Sequence, residues 1–487
     1  MSQHTIGIDI GTQSLKAVVT SAGMAVSGEA SVAYRPDFPR PGWAEQHPAL
    51  WIDALKPAIG AALEAAGLEP ADVGALGIAG QLDGCLPVDS ATRPLGPCII
   101  WMDRRATEAV AGLPAEAIMA KSGVVLDATH MAAKIRWLKA HHPEAARIAR
   151  YHQPVSFLVA RLTGRQVFDH ALASTTMLYN LTDGAFDAEL CGIFGIAPDE
   201  LPEIARSETV ADSLSSDGAA LTGLPRGIPV AVGTGDDFSN PLGAGVVAPG
   251  RVVAALGTAE VVGAVHDLAV TDPGALVETH GYAGAKFFIE NPGWLSGGVL
   301  SWFVRSFRLL SVGELDALAA TAAPGSDGLT FLPALSGAMA PEWVAEARGA
   351  FYGLTPAHGT GAMARAVLEG CAFAMRDVVD RLDEMGVDTT RVLLLGGGAR
   401  SRLWAEIRAG VLDRPVDLSA VSDASPLGAA LLAAVASGQE ESLASGAAQL
   451  DRLRETLDPH SDDVGAYEEA YRRYRDLFAA LKPLYRR

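Results

Sequence analysis

The sequence is poor in cysteine, with four residues among 487, and poor in aromatic side chains, which make up 6% of it. The cysteines Cys85, Cys98, Cys191 and Cys371 are widely spaced and form no Cys-x-x-Cys pair. This spacing argues against a disulfide framework and against the usual zinc patterns with histidine. We therefore expect four buried thiols in a protein of a reducing compartment.

Basic residues are outnumbered, since 38 Lys and Arg stand against 57 Asp and Glu and leave a formal net charge of −19. No basic run interrupts this balance, which argues against a nucleic acid or an anionic membrane as partner. Long apolar runs are also missing, because the most helix-like one, residues 427–436, is too short to span a bilayer. Asp9 interrupts the first apolar stretch and no basic segment precedes it, so we expect no signal peptide and a cytoplasmic location.

The composition, with 49% hydrophobic and 20% charged residues, is that of a globular protein, and the length favours at least two domains. Strand-like segments alternate with amphipathic helices, which predicts an α/β fold. The clearest elements are helices over 49–66 and 361–385 and strands over 73–79 and 392–395. Turn formers at 248–250 predict an N-terminal domain over 1–248, a C-terminal domain over 249–440 and a helical tail over 441–487.

A strand, tight turn and strand pattern occurs twice. The two copies are residues 7–19, with Gly11-Thr12 at the turn, and residues 252–265, with Gly257-Thr258 at the turn. Backbone N–H groups and hydroxyls in such turns can hold phosphate oxygens, so the pair predicts a two-domain nucleotide clamp. Only the first copy carries an acid, Asp9, that can orient hydrated Mg²⁺. Either copy alone also fits a hairpin whose polar residues merely form the turn.

Two further polar segments follow predicted strands. Asp236 and Asp237 come after the strand 228–232, and a carboxylate there can accept a proton from a hydroxyl that attacks a phosphate. The alternative is an acidic turn that caps a helix. Gln81 and Asp83 leave another strand in a glycine-flanked turn and can contact a polyhydroxylated ligand, or only local backbone groups.

Two other segments have simpler alternatives. The three glycines at 396–398 follow a strand and precede a predicted helix over 402–409, which would let the backbone approach a nucleotide. Trp101 follows two isoleucines, where an indole more often lies in a core than against a ligand. For a contact between Asp103 and Arg105, the simpler alternative is a surface pair without a role.

Together these segments resemble the FGGY carbohydrate kinases, with the xylulokinases as the most similar branch. The matching motifs are the Asp9 hairpin, Gly-Gln-Leu-Asp-Gly at 80–84, Trp-Met-Asp-Arg-Arg at 101–105, Gly-Asp-Asp at 235–237, Leu-Gly-Thr at 256–258 and Gly-Gly-Gly-Ala-Arg-Ser at 396–401. No single motif is decisive, but their order over about residues 5–440 is specific. The resemblance implies two ribonuclease-H-like, actin-like ATPase domains on either side of an ATP cleft.

The resemblance also implies roles for individual residues. Asp236 matches the catalytic base and, with Asp9, the site of Mg²⁺. The positions matched to the phosphates and adenosine of ATP are Gly11, Thr12, Gln13, Ser14, Gly257, Thr258, Gly397, Gly398 and Ser401. The positions matched to the sugar are Gln81, Leu82, Asp83, Trp101, Asp236 and Asp237.

Two departures from the xylulokinase pattern bear on the substrate. Asp83 and Asp237 stand where a His and an Asn are usual, and added carboxylates accept hydrogen bonds and repel anions. We therefore expect a neutral substrate with a primary hydroxyl, first D-xylulose, which would give D-xylulose 5-phosphate. Another ketopentose such as ribulose, or a tetritol or pentitol such as erythritol, is the alternative. Residues 338–340 also depart from the family pattern, and we assign them no role.

Two other classes of function remain as rivals. An actin- or chaperone-like ATPase would need a peptide-binding region, and the chain after the clamp is too short for one. A sugar-sensing protein without catalysis is disfavoured by the intact Asp9 turn, Asp236 and glycine segment. The residues leave open regulation and oligomeric state, a homodimer included.

Overall fold

The computed structural model describes residues 4–421 and 423–485, which form two seven-stranded sheets, five two-stranded sheets and the helices that flank them. The strands are β1 His4–Ile10, β2 Ser14–Thr20, β3 Val26–Ala33, β4 Glu45–Gln46, β5 Val73–Gly80, β6 Leu86–Val88, β7 Cys98–Ile99, β8 Arg150–His152, β9 Val167–Asp169, β10 Tyr179–Asn180, β11 Ala185–Phe186, β12 Glu203–Ala205, β13 Val210–Ser213, β14 Pro229–Ala231, β15 Thr234–Gly235, β16 Val252–Leu256, β17 Ala259–His266, β18 Glu278–Tyr282, β19 Lys286–Leu295, β20 Thr330–Leu332, β21 Ala350–Tyr352, β22 Val392–Leu395, β23 Val416–Ser419 and β24 Leu453–Leu457. The helices are α1 Ala49–Ala66, α2 Thr107–Val110, α3 Ala115–Ser122, α4 Met131–His141, α5 Pro154–Thr163, α6 His170–Ser174, α7 Ala188–Phe194, α8 Ser216–Thr222, α9 Asp236–Gly243, α10 Gly297–Ser306, α11 Val312–Ala319, α12 Thr360–Glu384, α13 Arg402–Leu412, α14 Ala424–Ala436, α15 Leu443–Leu450 and α16 Ser461–Tyr485.

The first sheet belongs to the N-terminal domain and has the strand order β13-β14-β5-β1-β2-β3, with β15 also paired to β5. Strands β1, β14 and β15 all run parallel to β5, whereas β2 runs antiparallel to β1. The carboxyl ends of β1, β5 and β15 therefore meet at one edge, where open α/β sheets bind their ligands. Gly11, Gln81 and Asp236 are the residues that directly follow these three strands.

The second sheet belongs to the C-terminal domain and has the order β18-β19-β17-β16-β22-β23-β24. Strand β16 pairs antiparallel with β17 and parallel with β22, as β1 pairs with β2 and β5 in the first sheet. The two predicted Gly-Thr turns therefore join corresponding hairpins. The helix predicted over 49–66 is confirmed as α1, and the one predicted over 361–385 is confirmed as α12, shifted by one residue.

Helix α14 comes late in the chain but packs on the first sheet. Gly7 of β1 lies so close to it that a Cβ atom there would be 1.8 Å from the carbonyl oxygen of Pro426. Leu432 of α14 shares an apolar cluster with Ala75 of the first sheet and Leu393 of the second. The apolar run noted in the sequence is therefore a buried helix between the two domains.

Residues 441–485, expected as a helical tail, contain a strand as well as two helices. β24 pairs antiparallel with β23 at the edge of the second sheet. Tyr467 and Tyr474 of α16 are buried, and the hydroxyl of Tyr467 accepts a 2.6 Å hydrogen bond from Arg365 Nη2. Strand β24 and helix α16 thus complete the C-terminal domain, whereas Ala447 and Leu450 of α15 pack with Val18 and Met24 of the first domain.

Two expectations from composition also have a structural outcome. All four cysteines are buried and unpaired, as predicted. In the described ranges, no helix combines the length and the apolar character that a membrane crossing requires.

Candidate active site

Carboxylates from two strand ends converge at the ligand-binding edge of the first sheet. Asp9 is buried at the end of β1, and its Oδ1 has no hydrogen-bond partner among the described residues. Asp236 and Asp237 form the first turn of α9. Burial and the nearby charge of Asp236 raise the pKa of Asp9 to about 7. Burial and the charge of Asp237 raise the pKa of Asp236 to about 8, although Lys16 acts to lower it.

The first Gly-Thr turn is fixed from its protein side. Gly11 N donates to Ser14 O over 3.0 Å, and the hydroxyl of Tyr34 donates to Gly11 O over 2.7 Å. Gln46 Nε2 donates to Thr12 O over 2.7 Å, while Gln13 is exposed. The turn is thus rigidly held with its tip open, which suits a group that binds phosphate with its own backbone.

The turn after β5 shares a side chain with the phosphate turn. Gln81 N donates to Ile10 O over 2.9 Å, and Gln81 Nε2 donates to Gln46 Oε1 over 2.6 Å. Gln81 Oε1 has no partner among the described residues. Leu82 lies beside the start of α9, because a Cβ on Gly235 would be 3.3 Å from its Cδ2. Gln46 therefore joins both turns, a role that the sequence did not reveal.

The structure corrects two interpretations of the segment 101–105. Trp101 is not a core residue, since its side chain is 41% exposed and its Nε1 donates to Thr12 Oγ1 over 3.0 Å. Asp103 and Arg105 are a buried pair rather than a surface pair, with 2.7 Å between Oδ2 and Nη2. Asp103 also accepts a 2.6 Å hydrogen bond from Ala44 N. Burial of the pair fixes the backbone that presents the Trp101 ring.

The second Gly-Thr turn and the glycine segment lie at the corresponding edge of the second sheet. Ser296 N and Gly298 N both donate to Thr258 O, over 3.1 and 3.0 Å. A Cβ on Gly398 would lie 2.7 Å from that of Leu256, the residue before Gly257.

Ser401 fixes the start of the helix that follows the glycine segment. Its Oγ accepts a 3.1 Å hydrogen bond from Trp404 N and caps α13. The helix predicted over 402–409 is confirmed and extends to Leu412. Both predicted nucleotide segments of this domain are therefore neighbours in space.

A buried series of charged side chains, Asp83, His130 and Glu278, connects the two domains. The sequence analysis did not predict this connection. His130 Nδ1 lies 3.2 Å from Asp83 Oδ2, and His130 Nε2 lies 3.4 Å from Glu278 Oε1 in β18. Burial acts to lower the pKa of His130, but the two carboxylates outweigh it and raise the pKa well above its usual value. Against the effect of burial, His130 and His280 hold the pKa of Glu278 at about 2.

Glu290 in β19 brings a further carboxyl group from the C-terminal domain. It is buried, its Oε1 lies 3.7 Å from His280 Nε2, and its Oε2 has no partner among the described residues. Burial and the nearby charges of Asp237 and Glu278 raise its pKa well above the usual value. Asp237, Asp236 and Asp83 of the first domain are among the charges that raise it, so Glu290 lies near the carboxyl groups of the candidate site.

Two further observations concern metal-ligand clusters and cavities. No group of three or more His, Cys, Asp or Glu in the described part of the chain is arranged to hold a metal ion. An open cleft of about 880 Å³ lies beside β2 and is lined by Lys16, Arg400 and Asp423, among others, but by none of the predicted site residues. We therefore place the candidate site at the carboxylates and turns, where the reactive groups converge.

The chain has two α/β domains with matched turns and a cluster of carboxylates at the candidate site. This arrangement is typical of a phosphotransferase that acts on small polar substrates. Comparison with known proteins gives the family. Residues 4–243 match the N-terminal domain of the FGGY family of carbohydrate kinases, and residues 252–437 match its C-terminal domain. The chain belongs to this family of ATP-dependent kinases.

Particular relatives cover nearly the whole chain. The sequence is 30% identical to a xylulose kinase of Escherichia coli over 98% of this chain and 99% of the relative, and 30% identical to a glycerol kinase of Thermococcus gammatolerans over 91% of each. The crystal structure of a xylulose kinase from Rhodospirillum rubrum superposes with a TM-score of 0.92, at 31% identity, over all of both chains. These likenesses confirm the actin-like fold of two domains and the carbohydrate kinase activity, and they include kinases of two different substrates.

Proposed function

We propose that this carbohydrate kinase transfers the γ-phosphoryl group of ATP to a primary hydroxyl of a pentulose, with D-xylulose as the first substrate. The observation that carries the proposal is the convergence of Asp236 with the Asp9 turn and the Gln81 turn at one sheet edge. Similarity to xylulose kinases over almost the full length supports the choice of sugar.

Asp236 is the proposed catalytic base. It accepts the proton of the sugar hydroxyl as the hydroxyl oxygen forms its bond to the γ-phosphorus and the bond to the β-phosphate oxygen breaks. The proposed contacts of ATP are Gly11, Thr12, Gln13, Ser14, Gly257, Thr258, Gly397, Gly398 and Ser401.

Asp9 and Asp236 are the proposed holders of Mg²⁺. The fit rests on Asp9, whose buried Oδ1 lacks a protein partner, and on the raised pKa of both carboxyls, which a cation would offset. Two carboxylates together with phosphate oxygens and water are a usual set of ligands for this ion. When bound, Mg²⁺ neutralises charge on the phosphates during transfer.

Gln81, Leu82, Asp83, Trp101 and Asp237 are the proposed sugar contacts. Asp83 and Asp237 accept hydrogen bonds from hydroxyls, which suits a polyol as well as a ketose. A tetritol or pentitol such as erythritol, or another ketopentose such as ribulose, is therefore the second candidate, and similarity to glycerol kinases favours a polyol. We further propose the domain limits 1–248 and 249–440 and, from the reduced cysteines, a cytoplasmic location.

An ADP-release assay with Mg-ATP tests the proposal across D-xylulose, D-ribulose, erythritol, the pentitols, glycerol and a no-sugar control. We expect the highest kcat/KM for D-xylulose and little ADP without sugar. A higher kcat/KM for a tetritol or pentitol would show that the substrate is a polyol and not a pentulose. Sugar-independent ADP release equal to the sugar-dependent rate would contradict a kinase and favour an ATPase.

A further inference from the structure

We propose that His130 is a positioning residue that determines substrate specificity: it holds the Asp83 carboxylate in the sugar site and ties it to Glu278 of the opposite domain. The inference rests on the proposed function, because that function makes Asp83 a sugar contact. The inference extends the proposed function because it names a residue outside the recognised motifs and the class of substrate group that Asp83 selects.

Three neighbours fix Asp83 in place. Its backbone N donates to Gln153 Oε1 over 2.9 Å, and its carbonyl oxygen accepts from Lys134 Nζ over 2.6 Å. The backbone of Asp83 is left-handed, with a φ of 58°, which is uncommon for residues other than glycine. His130 Nδ1 then lies 3.3 Å from Oδ1 and 3.2 Å from Oδ2 of the carboxylate.

The carboxylate of Asp83 also lies near other acidic groups of the site. Its charge is among those that raise the pKa of both Asp237 and Glu290. A carboxylate that receives a hydrogen bond from His130 keeps free acceptor positions and offers no donor. At this position the site therefore selects a sugar hydroxyl, which donates, over a carbonyl oxygen, which does not.

The far side of His130 is fixed by the C-terminal domain. Nε2 lies 3.4 Å from Glu278 Oε1 without the alignment of a hydrogen bond, so this contact is a charge pair. Val125 N donates to the same Oε1 over 2.9 Å. Next to it, Thr279 N donates to Gly123 O over 2.9 Å, so the loop before His130 is bonded to strand β18.

This geometry gives His130 a task that a neutral side chain cannot perform. One buried imidazole lies between two buried carboxylates, and its loss would leave the Asp83 carboxylate without its side-chain partner and Glu278 with only Val125 N and His280. Asp83 would then take up a proton or turn away, and either change replaces a sugar-facing acceptor. The domain contact at Glu278 would weaken at the same time.

The test compares His130→Gln with His152→Gln as a matched control. His152 is also a buried histidine of the N-terminal domain, but its ring contacts Ser156 Oγ and Gln166 Oε1 at 3.1 Å each and no carboxylate among the described residues. Kinetics are measured with the best sugar of the wild-type panel. We expect His130→Gln to raise the KM for sugar at least roughly tenfold, with the KM for ATP within about twofold, and the control to leave both within about twofold.

Two further measurements separate this role from general damage. Glu278→Gln removes the charge from the other domain and should raise the KM for sugar in the same direction. Hydrogen exchange should quicken at residues 123–131 and 278–282 in His130→Gln and remain unchanged there in His152→Gln.

The outcomes are distinct. An unchanged KM for sugar in a folded His130→Gln variant, or equal rises in the KM for sugar and ATP, would overturn the inference. If the wild type phosphorylates no sugar of the panel, the proposed function fails, and hydrogen exchange in His130→Gln alone tests the contact between His130 and Glu278. Faster exchange at both segments would support that contact. Unchanged exchange at either segment would overturn it.

Discussion

The indole nitrogen of Trp101 donates a 3.0 Å hydrogen bond to the hydroxyl of Thr12, so a proposed wall of the sugar site is bonded directly to a proposed phosphate turn. Sugar binding and phosphate binding should therefore depend on each other.

Trp101→Phe tests this coupling, because phenylalanine keeps an aromatic surface and removes the donor. We expect the KM for ATP to rise roughly two- to tenfold, the equivalent of one lost hydrogen bond. Thr12→Val should have a similar effect, and the double variant should be little worse than either single variant. Fully additive effects on the KM for ATP would mean that the two residues act independently.

Because α14 packs closely on the first sheet, two glycine-to-alanine substitutions should change the free energy of unfolding in opposite directions. Gly77→Ala places a Cβ 1.9 Å from the carbonyl oxygen of Ala429, so we expect it to lower the free energy of unfolding by about 2 kcal/mol or more. Gly60→Ala is the matched control, since it lies inside α1 with no atom within 4 Å of the new methyl group. It should raise that free energy by about 0.5–1 kcal/mol. Urea unfolding of both variants measures the difference, and equal effects would contradict this packing.

The carboxylate cluster predicts that Asp237→Asn stabilises the metal-free protein at alkaline pH. Burial, Asp83 and Asp9 raise the pKa of Asp237 from 3.8 to about 7, so the folded state binds more protons than the unfolded state between these values. Stability is therefore lost as the pH rises through this window. Because the residue is only half-buried, we expect a gain of about 1–2 kcal/mol for Asp237→Asn at pH 8.

Unfolding at two pH values isolates this charge effect. The gain should be much smaller at pH 4, where the folded wild type holds the proton and the unfolded state, with a pKa of 3.8, is only partly ionised. A gain of equal size at pH 4 and pH 8 would assign it to packing instead.

The parts of the site that lie within one segment could be predicted from the sequence, and the parts that need the fold could not. The Asp9 and Gly257 turns, and the Gly396 segment, each combine a strand with its own loop, so a local pattern indicates them. The helix at 49–66 likewise ends at Gly67, whose left-handed φ of 67° favours glycine.

His130, Glu278 and Glu290 had no such signal. Glu278 and Glu290 come near Asp83 only because β18 and β19 of the second sheet face the first domain, and His130 contacts Asp83 from a segment 47 residues further along the chain. The alternative that placed Trp101 in a core was wrong for a related reason, whereas its assignment to the sugar site stays a prediction. Two preceding isoleucines suggest burial, but the buried Asp103–Arg105 pair turns the indole towards Thr12.

The most direct test of the central claim is the turnover of Asp236→Ala with Mg-ATP and the best sugar, beside Asp237→Asn. A positioned base contributes roughly 10²–10⁴-fold, so kcat of Asp236→Ala should fall by that factor while ATP binding, measured by calorimetry, is retained. Asp237→Asn should change the KM for sugar more than kcat. Near-normal kcat in Asp236→Ala would contradict its assignment as the base that accepts the proton of the sugar.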